Sequence, residues 1–218
     1  MRNKFNVVTT TLLASIFLAR FGTFLVIPYL TLFLLNEFDF TGVQIGTILS
    51  TLAFSGLIMS FFIGPYIDKF PKNKVILAGL VGYLACYIYF PFIDEYAGFI
   101  VFAIVLGMSQ STVEPTYRVL LSLYTEPENR KLIFNIRYFL INISAAIAPL
   151  TSVYFQRFVL ENIFFAVAFI FFINILTFLV LFKKYPVEQP IANKTKPSIF
   201  SSFTFLRETM RLEYLFWA

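Results

Sequence analysis

The stretch Gly64-Pro65-Tyr66-Ile67-Asp68-Lys69-Phe70-Pro71-Lys72-Asn73-Lys74 decides how this chain is read. It forms a short charged loop between two long apolar runs, Val43–Ile63 and Val75–Phe92. A lone acid followed by three lysines, enclosed by two segments of membrane length, is costly to place anywhere but at a membrane surface.

Composition supports that placement for the whole chain. Of 218 residues, 59% are hydrophobic and 13% charged, and the mean hydropathy is +0.79. Soluble domains carry about 25% charged residues. A water-soluble core of this size could not hide so much apolar surface, so the class is all-α integral membrane protein. Thirty Phe and twelve Tyr suit lipid-facing and interfacial positions. The net charge of +5 does not imply nucleic acid, because the basic residues cluster at the ends of apolar runs rather than on one soluble face. Cys86 lies inside an apolar run and reads as a small packing residue. No His is present, which removes His-ligated metal sites, Ser-His triads and His proton relays. No cofactor is implied.

A spanning helix needs about 20 apolar residues. Six runs qualify: Val7–Leu35, Val43–Ile63, Val75–Phe92, Tyr96–Leu121, Leu132–Phe155 and Ile163–Phe182. They are continuous rather than alternating, which favours helices over a barrel. The first is too long for a signal peptide and reads as an uncleaved span. Orientation follows from the Lys/Arg bias. With the N-terminus in the cytoplasm, the inner segments hold Arg2, Lys4, Lys69, Lys72, Lys74, Arg118, Arg130, Lys131, Arg137, Lys183 and Lys184. The outer loops Asn36–Thr41, Pro91–Glu95 and Gln156–Asn162 then hold one cation, Arg157. The expected organisation is a six-helix bundle over 1–184 and a cytoplasmic linker over 185–213. The linker includes a short amphipathic helix, Phe203–Glu213. Tyr214–Ala218 reads as the first turn of a seventh span, as if the sequence were cut off.

Charges within spans are the candidate functional residues. Arg20 lies near the middle of the first run, where a charge costs about 2.5–3.5 kcal/mol on insertion scales. It either serves a cavity or pairs for structure alone. Gly22 and Pro28 can loosen the helix around it. Glu114 and Arg118, at i and i+4, share one face of the fourth run. They form either a local ion pair or part of a water-filled cavity in which Glu114 takes up protons. Burial and a nearby guanidinium pull on a carboxyl's proton in opposite directions, so such a group can exchange protons near neutral pH. In the fifth run, Ser144 and Ala148 make a small-xxx-small face for close helix approach, with Pro149 adding a kink. Gly42, Gly46 and Gly56 give a weaker signal of the same kind in the second run.

These residues resemble the N-terminal half of a major facilitator superfamily transporter of the multidrug-efflux-like type. Gly64, Asp68, Lys69 and Lys72 match that superfamily's signature loop between helices two and three, with Pro71 replacing the usual glycine and Lys72 the usual arginine. Leu18-Ala19-Arg20-Phe21-Gly22 with Pro28 resembles the first helix, and Glu126-Pro127-Glu128-Asn129-Arg130 resembles the loop between helices four and five. Ala148-Pro149 resembles the antiporter motif of helix five, with Ala in place of Gly. The resemblance implies two six-helix bundles that rock around a midplane site. Helices one and four would line the cavity and present Arg20 and Glu114. Asp68 and the loop lysines would hold a cytoplasmic gate, with Glu128 and Arg130 as partners. The implied partners are a small-molecule substrate, protons, the lipid of a cell membrane and a second six-helix half, on the same longer chain or another copy.

The leading expectation is a secondary active transporter carrying out proton-coupled efflux. A nutrient importer is the same-class alternative, although a sugar site would favour more Trp, and Trp217 is alone. A transport-inactive fragment that only packs with partner helices is the different-class alternative; a native protein about twice this size would argue against it. For an enzyme, Ser109, Ser111 and Thr112 lie near Glu114 but lack a matching base and oxyanion motif.

Overall fold

The fold is a computed structural model that describes residues 6–155 and 162–186. Among them every long element is a helix: α1 Val7–Glu37, α2 Gly42–Lys69, α3 Lys72–Tyr89, α4 Tyr96–Tyr124, α5 Arg130–Phe155 and α6 Asn162–Lys184. All six are long and apolar enough to cross a membrane. A helix satisfies its backbone polar groups within the segment, which is what hydrocarbon demands. The loop Gln156–Asn162 with Arg157, the linker beyond residue 186, the 203–213 helix and the 214–218 span start fall outside the described residues, Asn162 excepted.

Local chemistry sets the helix ends. Asn6 caps α1 by accepting from the Thr9 N–H at 2.7 Å. Thr41 and Gln44 form a capping box at the start of α2. Between them Asp39 takes a left-handed backbone, a conformation that Asp tolerates better than most residues. The signature stretch is less of a loop than expected. α2 continues through Pro65 to Lys69 and α3 begins at Lys72, so only Phe70-Pro71 is non-helical. Pro65 does not end the helix, because a membrane helix can absorb one lost N–H.

Packing shows an internal symmetry. α2 lies on α4 as α5 lies on α1; α3 lies on α4 as α6 lies on α1; α3 meets α6, and α1 meets α4. Exchanging α1–α3 with α4–α6 leaves this set of contacts unchanged, as in the three-plus-three repeats nested within transporter halves. The central helices are α1 and α4, and both approach their neighbours closely. A Cβ on Gly107 of α4 would collide with the Leu52 carbonyl and Ser55 hydroxyl of α2. Gly82 of α3 is similarly closed by Ser109. Gly56 is part of the α2–α4 contact, but Gly42 and Gly46 have nothing within 4 Å, which corrects the expectation for those two. Ser144 and Ala148 are both buried, and the Ser144 hydroxyl donates to the Phe17 carbonyl of α1 at 3.3 Å.

The aromatic residues also depart from expectation. Tyr87, Tyr117, Phe90, Phe99, Phe102, Phe164, Phe171 and Phe178 are fully buried rather than facing lipid. Towards the end of the bundle away from the loop lysines, Phe90 stacks on Phe164 at 3.7 Å and Phe38 meets Phe99 edge-on at 4.9 Å. Rings fill the wide spaces that the small-residue contacts do not close. Phe54, Leu57, Phe61 and Phe62 of α2 and Phe139 and Leu150 of α5 remain exposed.

Candidate functional site

The charges within the spans converge. Arg20 of α1, Glu114 and Arg118 of α4, and Arg137 of α5 form one cluster around the Glu114 carboxylate. Arg20 donates to Oε2 and Arg137 to Oε1. Arg118 donates to Oε1 from the next turn of α4 at 3.3 Å. Glu114 and Arg20 are 17% and 19% exposed at their side chains, Arg137 is 10% exposed, and Arg118 is 59% exposed. Glu114 lies ten residues from the end of α4, about 15 Å along the axis, and Arg20 thirteen residues into α1, about 20 Å. Both positions are deep within the bundle. A partly buried carboxylate that meets charged donors from three helices fixes their relative positions more firmly than an apolar contact does.

Arg137 is the member that sequence reasoning misplaced. It was grouped with the cations of the inner segments, yet it sits seven residues into α5 and its side chain reaches Glu114. A signal was present: Leu132, Ile133, Phe134 and Ile136 precede it, so it is a charge two turns inside a span. Its Nε is buried with no hydrogen-bond partner.

Beside the cluster is a small cavity of about 10 Å³, enough for roughly one water. Arg20, Thr23, Tyr83, Gln110, Glu114 and Tyr117 line it, so α1 and α4 supply most of its wall. Nearer the lysine-bearing end, Tyr117 and Ser15 hydroxyls meet at 2.8 Å, and Ser15 also bonds to the Asn174 side chain of α6. All three residues are buried. A second polar network thus ties α6 to the same two helices. Ser109 and Thr112, considered above as enzyme candidates, pack against Gly82 and Gly79 of α3 instead.

The gate residues are arranged differently from the implied partnership. Gly64, Asp68 and Lys69 are exposed at the end of α2. Lys72 is buried, and its Nζ donates to the Ile67 carbonyl at 3.2 Å, capping the last turn of α2. Arg130 donates to the Ser122 carbonyl at the end of α4 at 3.1 Å, and Glu128 is exposed. Among the described residues neither Glu128 nor Arg130 pairs with Asp68 or the loop lysines. Pro149 lies inside α5, one residue after buried Ala148.

A bundle of six membrane-length helices with a charged cluster at its centre defines a multi-pass membrane protein. The sequence matches the model of the Major Facilitator Superfamily over residues 12–217, and the chain belongs to that family. An uncharacterised transporter of the superfamily, YqjV of Bacillus subtilis (strain 168), is 27% identical over 207 residues, covering 95% of this chain and 49% of that protein. Multidrug resistance protein 1 of the same organism is 35% identical over 78 residues, covering 36% of this chain and 20% of that protein. The crystal structure of the peptide transporter POT in complex with sulfate superposes with a TM-score of 0.73 at 17% identity, covering 95% of this chain and 44% of that one. The chain therefore spans about half the length of the curated relatives it matches. The family points to membrane transport rather than catalysis.

Proposed function

We propose that this chain is the N-terminal half of a secondary active transporter that moves a small molecule by alternating access, with the Glu114 cluster as its coupling site. The N-terminus and lysine-bearing end face the cytoplasm, and a linker from 185 to 213 leads to the start of a seventh span at 214–218. A second six-helix bundle, on the same chain or another copy, completes the path across a cell membrane. The observation that carries this reading is the placement of Glu114. Its partners come from both structural repeats, Arg20 from α1–α3 and Arg137 from α4–α6, and such repeat interfaces are where transporters of this architecture place their sites. A carboxylate bound to movable helices couples protonation to helix position, since losing its charge releases the guanidinium groups.

Proton-coupled efflux is the proposed direction, supported by the 35% identity to a multidrug resistance protein over part of the chain. Asp68, Lys69, Glu128 and Arg130 stand at the proposed cytoplasmic gate, where a second bundle would meet them, and Gly64 and Ala148-Pro149 belong to helices that flank that opening. The test is flux of a panel of small organic solutes in proteoliposomes under an imposed pH gradient. Gradient-dependent flux supports coupling, whereas flux that ignores the gradient removes it. An Asp68→Asn protein should insert normally and transport poorly, and a normal rate would remove the gate.

A further inference from the structure

We infer that Arg20 and Arg137 bind an anionic group, a carboxylate or phosphate, on the transported molecule, with Glu114 occupying these two arginines when the site is empty and passing to Arg118 on exchange. The inference rests on the transport reading and adds to it the chemical class of the substrate.

Two largely buried guanidinium groups, Arg20 and Arg137, meet one carboxylate, leaving a surplus of one formal positive charge within the bundle, while Arg118 is largely exposed. Among the described residues no other acid pairs with these arginines; Glu37, Asp39, Asp94 and Glu95 lie at the far end of the bundle, and Asp68, Glu126 and Glu128 at the near end. Surplus cations held away from water are costly unless an anion joins them. The Arg137 Nε is buried and bonded to nothing, while its Nη2 holds Glu114. A guanidinium is built to grip a carboxylate or phosphate with two parallel N–H groups, and here one of them has no acceptor.

Arg118 is 59% exposed and already lies 3.3 Å from Oε1. Gln110, Glu114 and Arg118 recur every four residues, so they share a face of α4 that also borders the cavity. Glu114 can move along that face onto Arg118 and leave Arg20 and Arg137 to an incoming anion. No change of covalent structure is needed.

The test is the thermal-unfolding midpoint of the purified full-length protein, titrated at fixed ionic strength with benzoate, inorganic phosphate and tetraethylammonium. The expected result is a saturable rise with benzoate, phosphate or both and none with tetraethylammonium; which anion acts tells an organic carboxylate from a phosphate ligand. Arg118→Gln should weaken the anion's apparent affinity at least tenfold, and Glu114→Gln, which removes the competing carboxylate, should strengthen it at least threefold. If Glu114→Gln fails to fold, Arg118→Gln decides alone, because its side chain is largely exposed. Equal shifts with anion and cation, no shift with either anion, or an anion shift unchanged in Arg118→Gln would overturn the inference. An acidic side chain of a second bundle already filling the cluster would give the no-shift result. Solute flux measured in parallel separates the two readings. Flux without an anion-specific shift removes only the anion site, and an anion-specific shift without flux of any solute removes the transport reading on which it rests.

Discussion

At Glu114 one carboxylate answers three guanidinium groups, so its loss should be felt more than the loss of any single arginine. Breaking a largely buried ion pair by removing one partner costs about 3–5 kcal/mol, because the remaining charge stays buried. Glu114→Gln should therefore lower the thermal midpoint clearly, whereas Arg118→Gln, at an exposed position, should change stability by less than about 0.5 kcal/mol. Comparable midpoints for the two variants would show that the cluster does not hold the helices. A similar contrast separates neighbouring lysines. Lys72 is buried on the Ile67 carbonyl and Lys69 is exposed. Lys72→Met should cost about 1–3 kcal/mol by leaving that carbonyl unbonded. Lys69→Met should cost almost nothing, and the same unfolding assay checks both. Arg20, Glu114 and Arg118 were legible in the sequence because a charge inside a span is expensive wherever it appears. Arg137 was not, because Arg130 and Lys131 precede it closely and the three together read as one basic flank. Lys72 looked like a free loop charge for the related reason that sequence shows charge but not the carbonyl it meets.

Element boundaries and faces tell a similar story. The six apolar runs predicted the six helices to within a few residues, except that α2 ran through Pro65 and absorbed much of the charged stretch. A proline reads as a stop in water, but in a bundle its missing hydrogen bond is tolerated. Which small residues lie at helix contacts could not be read so directly, since Gly42, Gly46 and Gly56 look alike in sequence. Their geometry makes a prediction. Gly107→Ala would push a methyl group into the Leu52 carbonyl and Ser55 of α2, and overpacking of this kind costs about 1–3 kcal/mol. Gly46→Ala meets nothing within 4 Å and should be neutral or slightly stabilising, since alanine favours a helix. Thermal midpoints of the two proteins that fell together would contradict the close α2–α4 approach. The buried aromatic layer was hidden for want of periodicity: in a chain with thirty Phe, almost every face of every helix carries a ring.

For the whole molecule, the repeat symmetry of the bundle puts α1 and α4 at the centre and leaves apolar faces of α2 and α5 outside. Orientation is testable by labelling. Asp94→Cys should react with a membrane-impermeant maleimide in intact cells and Lys69→Cys only after lysis; the reverse would invert the topology. Cys86 is buried and should stay silent in both. The most direct test of the central claim is solute flux driven by a pH gradient in proteoliposomes, comparing the native protein with Glu114→Gln at equal insertion. The variant should lose gradient-driven accumulation while solute still equilibrates across the membrane. Accumulation at the native rate would show that Glu114 holds the helices together but does not couple transport to protons.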